Sequence, residues 1–157
     1  MKEYIEIVEV SPRDGLQNEK KILSTVQKLE LINRSIDAGC TRIEVTSFVN
    51  PKRVPQMFDA DEVVKNLPEI RTKNVKFIGL ALNERGFQRA LESNLDIVNY
   101  AIVASDTFSI RNQGATTSDN LKTLGKILAE SGNKIETAVT VAASFGCPFD
   151  GEISVSH

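Results

Sequence analysis

Short apolar runs alternate along the chain with longer amphipathic segments, and this alternation limits the fold more than any other feature. The apolar runs at residues 5–10, 43–46, 75–82, 96–103 and 135–143 have the length and content of buried strands. Four segments between them, two at residues 25–38 and 59–67, one after Asn83 and one that is capped by Ser118 and ends at Gly132, have apolar residues at helical spacing. Five strands and four helices in this order predict parallel βαβ units joined by right-handed crossovers.

Two architectures share this order of elements. One is an open doubly wound sheet. The other is a parallel (β/α)8 TIM barrel, of which the chain would supply roughly the first five strands and four helices, because a whole barrel usually needs about 250 residues. No GxGxxG or Walker loop follows a strand, which weakens the doubly wound, nucleotide-binding alternative without excluding it. We expect a single domain over residues 1–157.

Composition disfavours several classes of function. The formal net charge is −2 and the Lys and Arg residues are scattered, so nucleic acid is not an expected partner. We interpret the pair Lys52-Arg53 as solvated surface. Neither a long apolar run nor a charged and then apolar leader is present, so neither membrane spanning nor secretion is expected. Cys40 and Cys147 are too few for a disulfide framework, and the expected location is the cytoplasm.

Polar side chains stand at or just past three of the predicted strands. The carboxyl ends of the strands of a barrel build one site, so these groups would converge although they are distant in sequence. The spacing by itself supports a polar cluster at strand ends and no particular reaction. The residues are Arg13, Asp14, Gln17 and Asn18 after the first strand, Glu44 and Ser47 on and after the second, and Ser105, Asp106, Arg111 and Asn112 after the fourth.

Glu44 is a carboxylate inside an apolar run, and a parallel strand with both faces covered would bury it. A buried carboxylate needs a cation or hydrogen-bond donors, and Arg13 is a suitable partner on the neighbouring strand. Asp14 offers a hard oxygen ligand of the kind that magnesium and manganese prefer. Spacing alone also allows simpler interpretations, in which residues 13–15 form a surface turn and Glu44 belongs to a structural ion pair.

Three longer strings resemble segments of one enzyme family. VEVSPRDGLQNE at residues 8–19 resembles the opening motif of the 3-hydroxy-3-methylglutaryl-CoA lyases. IEVTSFVNPKRVPQM at residues 43–57 resembles their second-strand segment, and FGCPFDG at residues 145–151 resembles their Gly-Cys-Pro-aromatic-acidic-Gly segment. The order and spacing also match. Related synthases and the carboxyltransferase domain of pyruvate carboxylase share only the short Arg-Asp signature, so the longer strings favour the lyases.

The resemblance implies the N-terminal half of a metal-dependent barrel that cleaves 3-hydroxy-3-methylglutaryl-CoA to acetyl-CoA and acetoacetate by a retro-Claisen reaction. The family's other metal ligands, a His-x-His pair and an asparagine, and its catalytic cysteine have no counterpart in these 157 residues. Neither Cys147 nor His157 matches those positions, and we expect the chain alone to be inactive. The implied partners are an acyl-CoA substrate and, in the complete enzyme, further copies in a homo-oligomer.

The resemblance also implies roles for single residues. Asp14 matches the aspartate that binds a divalent cation, Mg²⁺ or Mn²⁺. Arg13 matches the catalytic arginine that stabilises the enolate oxygen developing on the thioester. Glu44 matches the buried glutamate that orients Arg13 and the metal shell, and it is assigned to catalysis with Arg13. Asn112 lies where the family contacts CoA. The substrate-binding residues implied are Arg13, Gln17, Ser47 and Asn112.

Two alternatives stay open. A lyase for a bulkier 3-hydroxyglutaryl-CoA would carry the same strings, because the pocket for the C3 substituent need not lie within these residues. Ser11, where glycine is usual, and Asp106, where glutamate is common, bear on that choice. The other alternative is a non-catalytic half-barrel that binds a ligand or pairs its open sheet edge with a second copy. A reading frame that continues into a His-x-His segment would favour a lyase.

Overall fold

The computed structural model describes residues 5–69, 74–132 and 134–156 of the 157-residue chain. Within them, four strands form one parallel sheet in sequential order, with helices between neighbouring strands. Sequential order is typical of a barrel, whereas the order of a doubly wound sheet reverses at a switch point. The predicted fold class, part of a TIM barrel, is confirmed. The strands are β1 (Arg42–Ser47), β2 (Lys76–Ala81), β3 (Ile97–Val103) and β4 (Glu136–Ala142).

The helices of the described residues begin at side chains that can cap them. Ser24 forms a capping box with Gln27, and Asn83 accepts a hydrogen bond from Gly86 N, both at predicted starts. The described helices are α1 (Thr25–Asp37), α2 (Ala60–Lys65), α3 (Glu84–Leu91), α4 (Asp106–Gln113) and α5 (Thr117–Ser131), with a π-helical turn at Ser11–Gly15 and a 3₁₀ turn at Pro55–Met57. The helix α4 is additional to the four predicted.

The predicted first strand is wrong as a regular strand. Only Glu9 pairs with the sheet, in a parallel bridge to Ile43. The side chains of Ile5 and Ile7 are 81% and 79% exposed, so the described residues do not cover them. A strand needs a neighbour along its length to satisfy its backbone groups, and this segment has one at a single residue. The described chain therefore has four strands and one bridge where five strands were predicted.

The hydrophobic core lies between the sheet and the helices. Strand side chains such as Ile43, Val98 and Tyr100 pack there against Ile32 and Phe87 from α1 and α3. Because successive side chains of a strand alternate between its faces, the remaining side chains project from the opposite face, where the candidate site lies. Among the described residues, no helix has the length and apolar character needed to cross a membrane.

Candidate active site

A π-helical turn follows the Glu9 bridge and carries the first two site residues. The backbone N–H groups of Arg13 and Asp14 both donate to Val10 O, at 3.1 and 2.7 Å. The Glu9 carboxylate accepts a 2.7 Å hydrogen bond from Ser11 N, and this bond lowers the pKa of Glu9. The simpler interpretation of a turn is therefore correct for the backbone, but the side chain of Arg13 is only 13% exposed and points away from solvent.

Arg13 connects two carboxylates. Its Nη1 donates to Asp14 Oδ1 and its Nη2 donates to Glu44 Oε2, both at 2.7 Å. The Glu44 side chain is 4% exposed, so the predicted pair between neighbouring elements is present and buried. Glu44 Oε1 and Arg13 Nε are also buried, without a hydrogen-bond partner in the described residues. Buried polar atoms without partners are costly, so the hydrogen bonds of this cluster are incomplete among the described residues.

Asp14 is the most exposed member of this cluster, with 49% of its side chain accessible. Its Oδ1 accepts from Arg13 and, at 3.0 Å, from Gln17 Nε2. Asn18 Nδ2 donates to the backbone O of Asp14 at 2.8 Å. Both described side-chain hydrogen bonds fall on Oδ1, so the neighbours hold the carboxylate in place and leave Oδ2 without a described side-chain partner.

A β-bulge brings Glu44 and Ser47 to one face of β1. The register with β2 shifts between Glu44 and Thr46, so Val45 is an extra residue in the strand. Residues three apart in a regular strand face opposite sides, and the extra residue returns them to the same side. Ser47 pairs with Leu80, which lines the cleft described next. Ser47 is fully buried and its Oγ has no hydrogen-bond partner in the described residues.

A cleft of about 390 Å³ opens on this face of the sheet. It brings together three predicted site residues, Arg13, Gln17 and Asn112. Asn99 and Thr140 also line it, and Thr140 Oγ1 donates to Asn99 Oδ1 at 3.0 Å. These two residues were not predicted from the sequence, although their positions between core residues of β3 and β4 indicate that they face the side of the sheet opposite to the core. The other lining residues are Asn18, Val49, Arg53, Val54, Leu80, Leu82 and Ala101.

A second cleft of about 550 Å³ continues the first and contains two arginines. Arg53 is exposed, in agreement with its interpretation as solvated surface, and it also lines both clefts and donates from Nη1 to Asn112 O at 3.1 Å. The Arg111 guanidinium lies 4.2 Å from the centre of the Phe149 ring. No acidic residue is among the described residues that line this cleft, which makes it a positively charged pocket.

Two polar residues at the end of β3 serve the fold instead of the cleft. The Ser105 hydroxyl caps α4 by accepting from Phe108 N at 3.2 Å. Asp106 accepts a 2.8 Å hydrogen bond from Thr117 N and so connects the starts of α4 and α5. Of the strand-end residues after β3, only Asn112 and Arg111 reach a cleft.

Asp14 fits one position of a metal site and does not form a site by itself. Its carboxylate is a hard oxygen donor with a free oxygen, as Mg²⁺ and Mn²⁺ prefer. The described ranges 5–69, 74–132 and 134–156 contain no group of three or more His, Cys, Asp and Glu side chains that could hold a metal ion. A bound cation would therefore need ligands in addition to those that the structure describes.

The structure is a parallel partial barrel with an arginine–carboxylate cluster and a cleft on the open face of its sheet. These features define a class of barrel proteins with sites at the carboxyl ends of their strands. The family is shown by a family model described as HMGL-like, which matches residues 4–156. The chain belongs to the HMGL-like family.

Individual relatives agree with this assignment. The chain is 39% identical over 161 residues to the (R)-citramalyl-CoA lyase of Chloroflexus aurantiacus, covering 97% of this chain and 51% of that protein. It is 40% identical over 152 residues to the mitochondrial hydroxymethylglutaryl-CoA lyase of Homo sapiens, covering 96% and 46%. An HMG-CoA lyase of Acinetobacter baumannii, solved with coenzyme A and 3-methylmalate, matches with a TM-score of 0.91 and 38% identity, covering 96% and 49%. The chain thus spans about half the length of the curated relatives it matches.

Proposed function

We propose that this chain is part of a lyase that cleaves 3-hydroxy-3-methylglutaryl-CoA to acetyl-CoA and acetoacetate. The observation that carries the proposal is Arg13, held between Asp14 and Glu44 at a cleft in a member of the HMGL-like family. Because the chain spans about half of its relatives, the activity is proposed for the complete protein. The 157 residues alone are expected to be inactive, since Asp14 is only one ligand of a metal site.

Arg13 is proposed to stabilise the charge that develops during cleavage. Breaking the carbon–carbon bond leaves an electron pair on the acetyl thioester, and the charge of the resulting enolate concentrates on the thioester oxygen. Glu44 and Asp14 already fix the guanidinium through both terminal nitrogens, so it needs no rearrangement when that charge appears. Glu44 is the orienting partner, and Ser47 offers a hydroxyl on the same face.

Asp14 is proposed to hold a divalent cation, Mg²⁺ or Mn²⁺, together with ligands from the part of the relatives' length that lies outside this chain. When bound, such a cation makes the substrate's tertiary hydroxyl easier to deprotonate. Gln17 supports this role, because its amide fixes Asp14 through Oδ1 and leaves Oδ2 for the ion. Gln17 also lines the cleft, where it would contact the substrate.

The second cleft is proposed to receive the CoA portion of the substrate. CoA carries several phosphate charges, and Arg53 and Arg111 give this cleft two permanently charged donors. Asn112 joins the two clefts and is placed to contact the chain between the phosphates and the thioester. The order of groups along CoA therefore matches the order of residues from the second cleft to Arg13.

A different acyl group is the second candidate, and the names of two relatives motivate it. One is named an (R)-citramalyl-CoA lyase, and another, from Pseudomonas aeruginosa and 37% identical, a 3-hydroxy-3-isohexenylglutaryl-CoA/hydroxy-methylglutaryl-CoA lyase. Ala101 is a small residue in the lining of the cleft, which leaves room for a larger C3 substituent. The non-catalytic half-barrel would instead use the free edge of β4, where Val139 and Val141 are exposed.

Three further predictions remain proposals. These are a single domain over residues 1–157, a homo-oligomeric complete enzyme and a cytoplasmic location. The named relatives include both mitochondrial and cytoplasmic lyases, so membership of the family does not decide the location.

The test compares the protein encoded by the complete reading frame with the 157-residue chain. Both are assayed with Mg²⁺ or Mn²⁺ against the CoA thioesters of 3-hydroxy-3-methylglutarate, citramalate and 3-hydroxy-3-isohexenylglutarate. We expect the complete protein to cleave the first of them best and the short chain to cleave none. If the complete protein prefers another thioester, that thioester takes the place of the proposed substrate. Inactivity of the complete protein on all three would favour the half-barrel alternative.

A further inference from the structure

The FGCPFDG segment forms a turn that no step of the proposed chemistry uses. Cys147 N donates to Gly151 O at 2.6 Å, and Gly151 N donates to Cys147 O at 2.9 Å. Gly151 has a φ of +78°, a left-handed conformation that favours glycine. These bonds close residues 147–151 into a compact loop, the 147–151 turn, whose side chains contact α4.

The 147–151 turn holds the start of α4. The Ser105 hydroxyl, which caps the helix, accepts from Cys147 Sγ at 3.0 Å and donates to the Asp150 carboxylate. Hydrogen bonds from Ser105 and from the side chain and N–H of Thr107 lower the pKa of Asp150. A carboxylate in this position also lies against the positive end of the helix dipole. Asp150 therefore acts as an external cap of α4.

The same turn contacts α4 a second time, through an aromatic ring. The Phe149 ring meets the Phe108 ring edge to face, with 5.6 Å between ring centres. Its face also carries the Arg111 guanidinium at 4.2 Å. Arg111 and Asn112 form the end of α4 that lines the clefts, so the turn contacts the helix both at its cap and beside its ligand-facing residues.

The helix α4 depends on such contacts because it lacks an apolar face to bury. Ser109 is its only buried residue, and Ile110 is half exposed. Its other anchors are polar, among them the bond from Gln113 Nε2 to Ala101 O at 2.7 Å and the bond from Asn120 Nδ2 to Ser109 Oγ at 2.9 Å. An element with so little apolar burial opens at low cost, so each remaining contact has a large share in fixing its position.

We propose that the 147–151 turn is a positioning device that fixes α4, so that Arg111 and Asn112 meet the CoA portion of the ligand. Asp150 and Phe149 are positioning residues, because they act through the helix and line neither cleft among the described residues. The part of this proposal that concerns CoA rests on the proposed function. The part that concerns the helix does not.

The experiment uses the protein encoded by the complete reading frame and two pairs of variants. Asp150→Ala removes the external cap, and Phe149→Ala removes the ring that contacts Phe108 and Arg111. Phe149→Tyr keeps the ring, and Phe145→Ala changes an aromatic residue of the same segment that is 97% exposed. Hydrogen exchange is measured across the chain, and the Kd of free CoA is measured by calorimetry.

We expect roughly tenfold faster exchange within residues 106–113 in both alanine variants at positions 149 and 150, with exchange in α5 and β3 unchanged. The Kd of CoA should also rise in the same two variants, by no more than the factor by which exchange accelerates, since a misplaced helix lowers the fraction of protein that is ready to bind. Phe149→Tyr and Phe145→Ala should behave like the wild type in both measurements.

Three results would overturn parts of the proposal separately. Unchanged exchange in α4 would remove the contact between turn and helix as a positioning device. Faster exchange with an unchanged Kd would show that the position of α4 does not matter for CoA. If the wild-type protein does not bind CoA, the proposed function fails at this site, and the exchange data still decide whether the turn fixes the helix.

Discussion

Arg13 and the helix α4 both line the first cleft but are fixed in different ways. Arg13 is held by two charged hydrogen bonds of 2.7 Å, one of them to a nearly inaccessible glutamate. The helix α4 has one buried residue and is held at its surface by a cap, a ring and a few polar bonds. The difference indicates that the proposed reaction centre is rigid before ligand binds, whereas the proposed CoA side is easier to perturb.

The largest effect is expected at the Arg13 cluster, for Arg13→Gln in the complete protein. The kcat should fall on the order of 10²–10³-fold, about 3–4 kcal/mol, with a much smaller change in KM, because the charge that Arg13 meets develops in the transition state. Arg13→Lys should restore little, since an ammonium cannot bridge two carboxylates as the guanidinium does. Steady-state kinetics with the best of the three thioesters gives both constants.

Arg34→Gln is the matched control, because Arg34 is exposed on α1 and bonds only within that helix among its described contacts. The melting temperature is measured on the same preparations. A normal kcat with a lower melting temperature in Arg13→Gln would make the arginine a structural brace and remove it from the mechanism.

Glu44→Gln should have the next largest effect. The amide keeps the shape of the side chain but removes the charge that orients Arg13, and the loss of an orienting partner typically lowers activity about 10–100-fold. Thermal stability should also fall, because a buried guanidinium loses one of its two counter-charges. Kinetics and thermal unfolding on one preparation test both parts. A kcat within twofold of the wild type would contradict the orienting role.

Arg53→Ala tests the second cleft, which is proposed to receive CoA, and its expected effect is smaller. Its charge acts on bound substrate and transition state alike, so KM should rise about tenfold while kcat stays unchanged. The rise should shrink at high salt, because screening already weakens the attraction in the wild-type protein. Arg34→Ala is again the control. A fall in kcat with constant KM would mean that Arg53 contributes to the reaction centre instead.

The smallest effect is the pH dependence of α4. The folded state lowers the pKa of Asp150, mainly through the Ser105 hydroxyl, so the ionised form stabilises the helix start. This contribution is present above the ordinary Asp pKa of about 3.9 and is lost as the pH falls below it. Nuclear magnetic resonance shifts of residues 106–113, followed from neutral to acid pH, should show a larger local change in the wild type than in Asp150→Asn, where Asp106 is the remaining carboxylate of α4. An identical change in both would assign it to another group.

Most of the strands and helices could be predicted because their periodicity is set by the core. The observed ends of β1 to β4, α1 and α2 and the start of α3 lie within two residues of the predicted positions, as expected for boundaries that depend on local bonds. The helix α4 could not be found in this way, because it has no apolar stripe. The predicted cap Ser118 is also wrong, since Thr116 caps α5 by accepting from Asp119 N. Both residues can cap a helix, and the sequence does not choose between them.

The ion pair between Arg13 and Glu44 was easier to predict than the residues that line the cleft. The contact between Arg13 and Glu44 follows from the need of a buried carboxylate for a cation, and the structure forms it. Asn99 and Thr140 were missed because a neutral polar residue inside a strand carries no such requirement. Arg53 is solvated, as expected for an arginine in a loop, and its place beside the clefts depends on the path of residues 49–54 after β1, which the sequence does not indicate.

The extra residue in β1 decides whether the hydroxyl of Thr46 or of Ser47 lies on the cleft side of the sheet. With Val45 as the bulge, Thr46 pairs with Gly79 and Ser47 pairs with Leu80 on the cleft side. If the bulge were flattened, so that Val45 took the place opposite Gly79, the strand would advance by one position. Ser47 would then turn toward the helices, and the bulkier Thr46 would project beside Glu44. The extra residue thus decides which of two adjacent hydroxyls lies on the cleft side of β1, and a substitution that removes the bulge would exchange them without altering either residue.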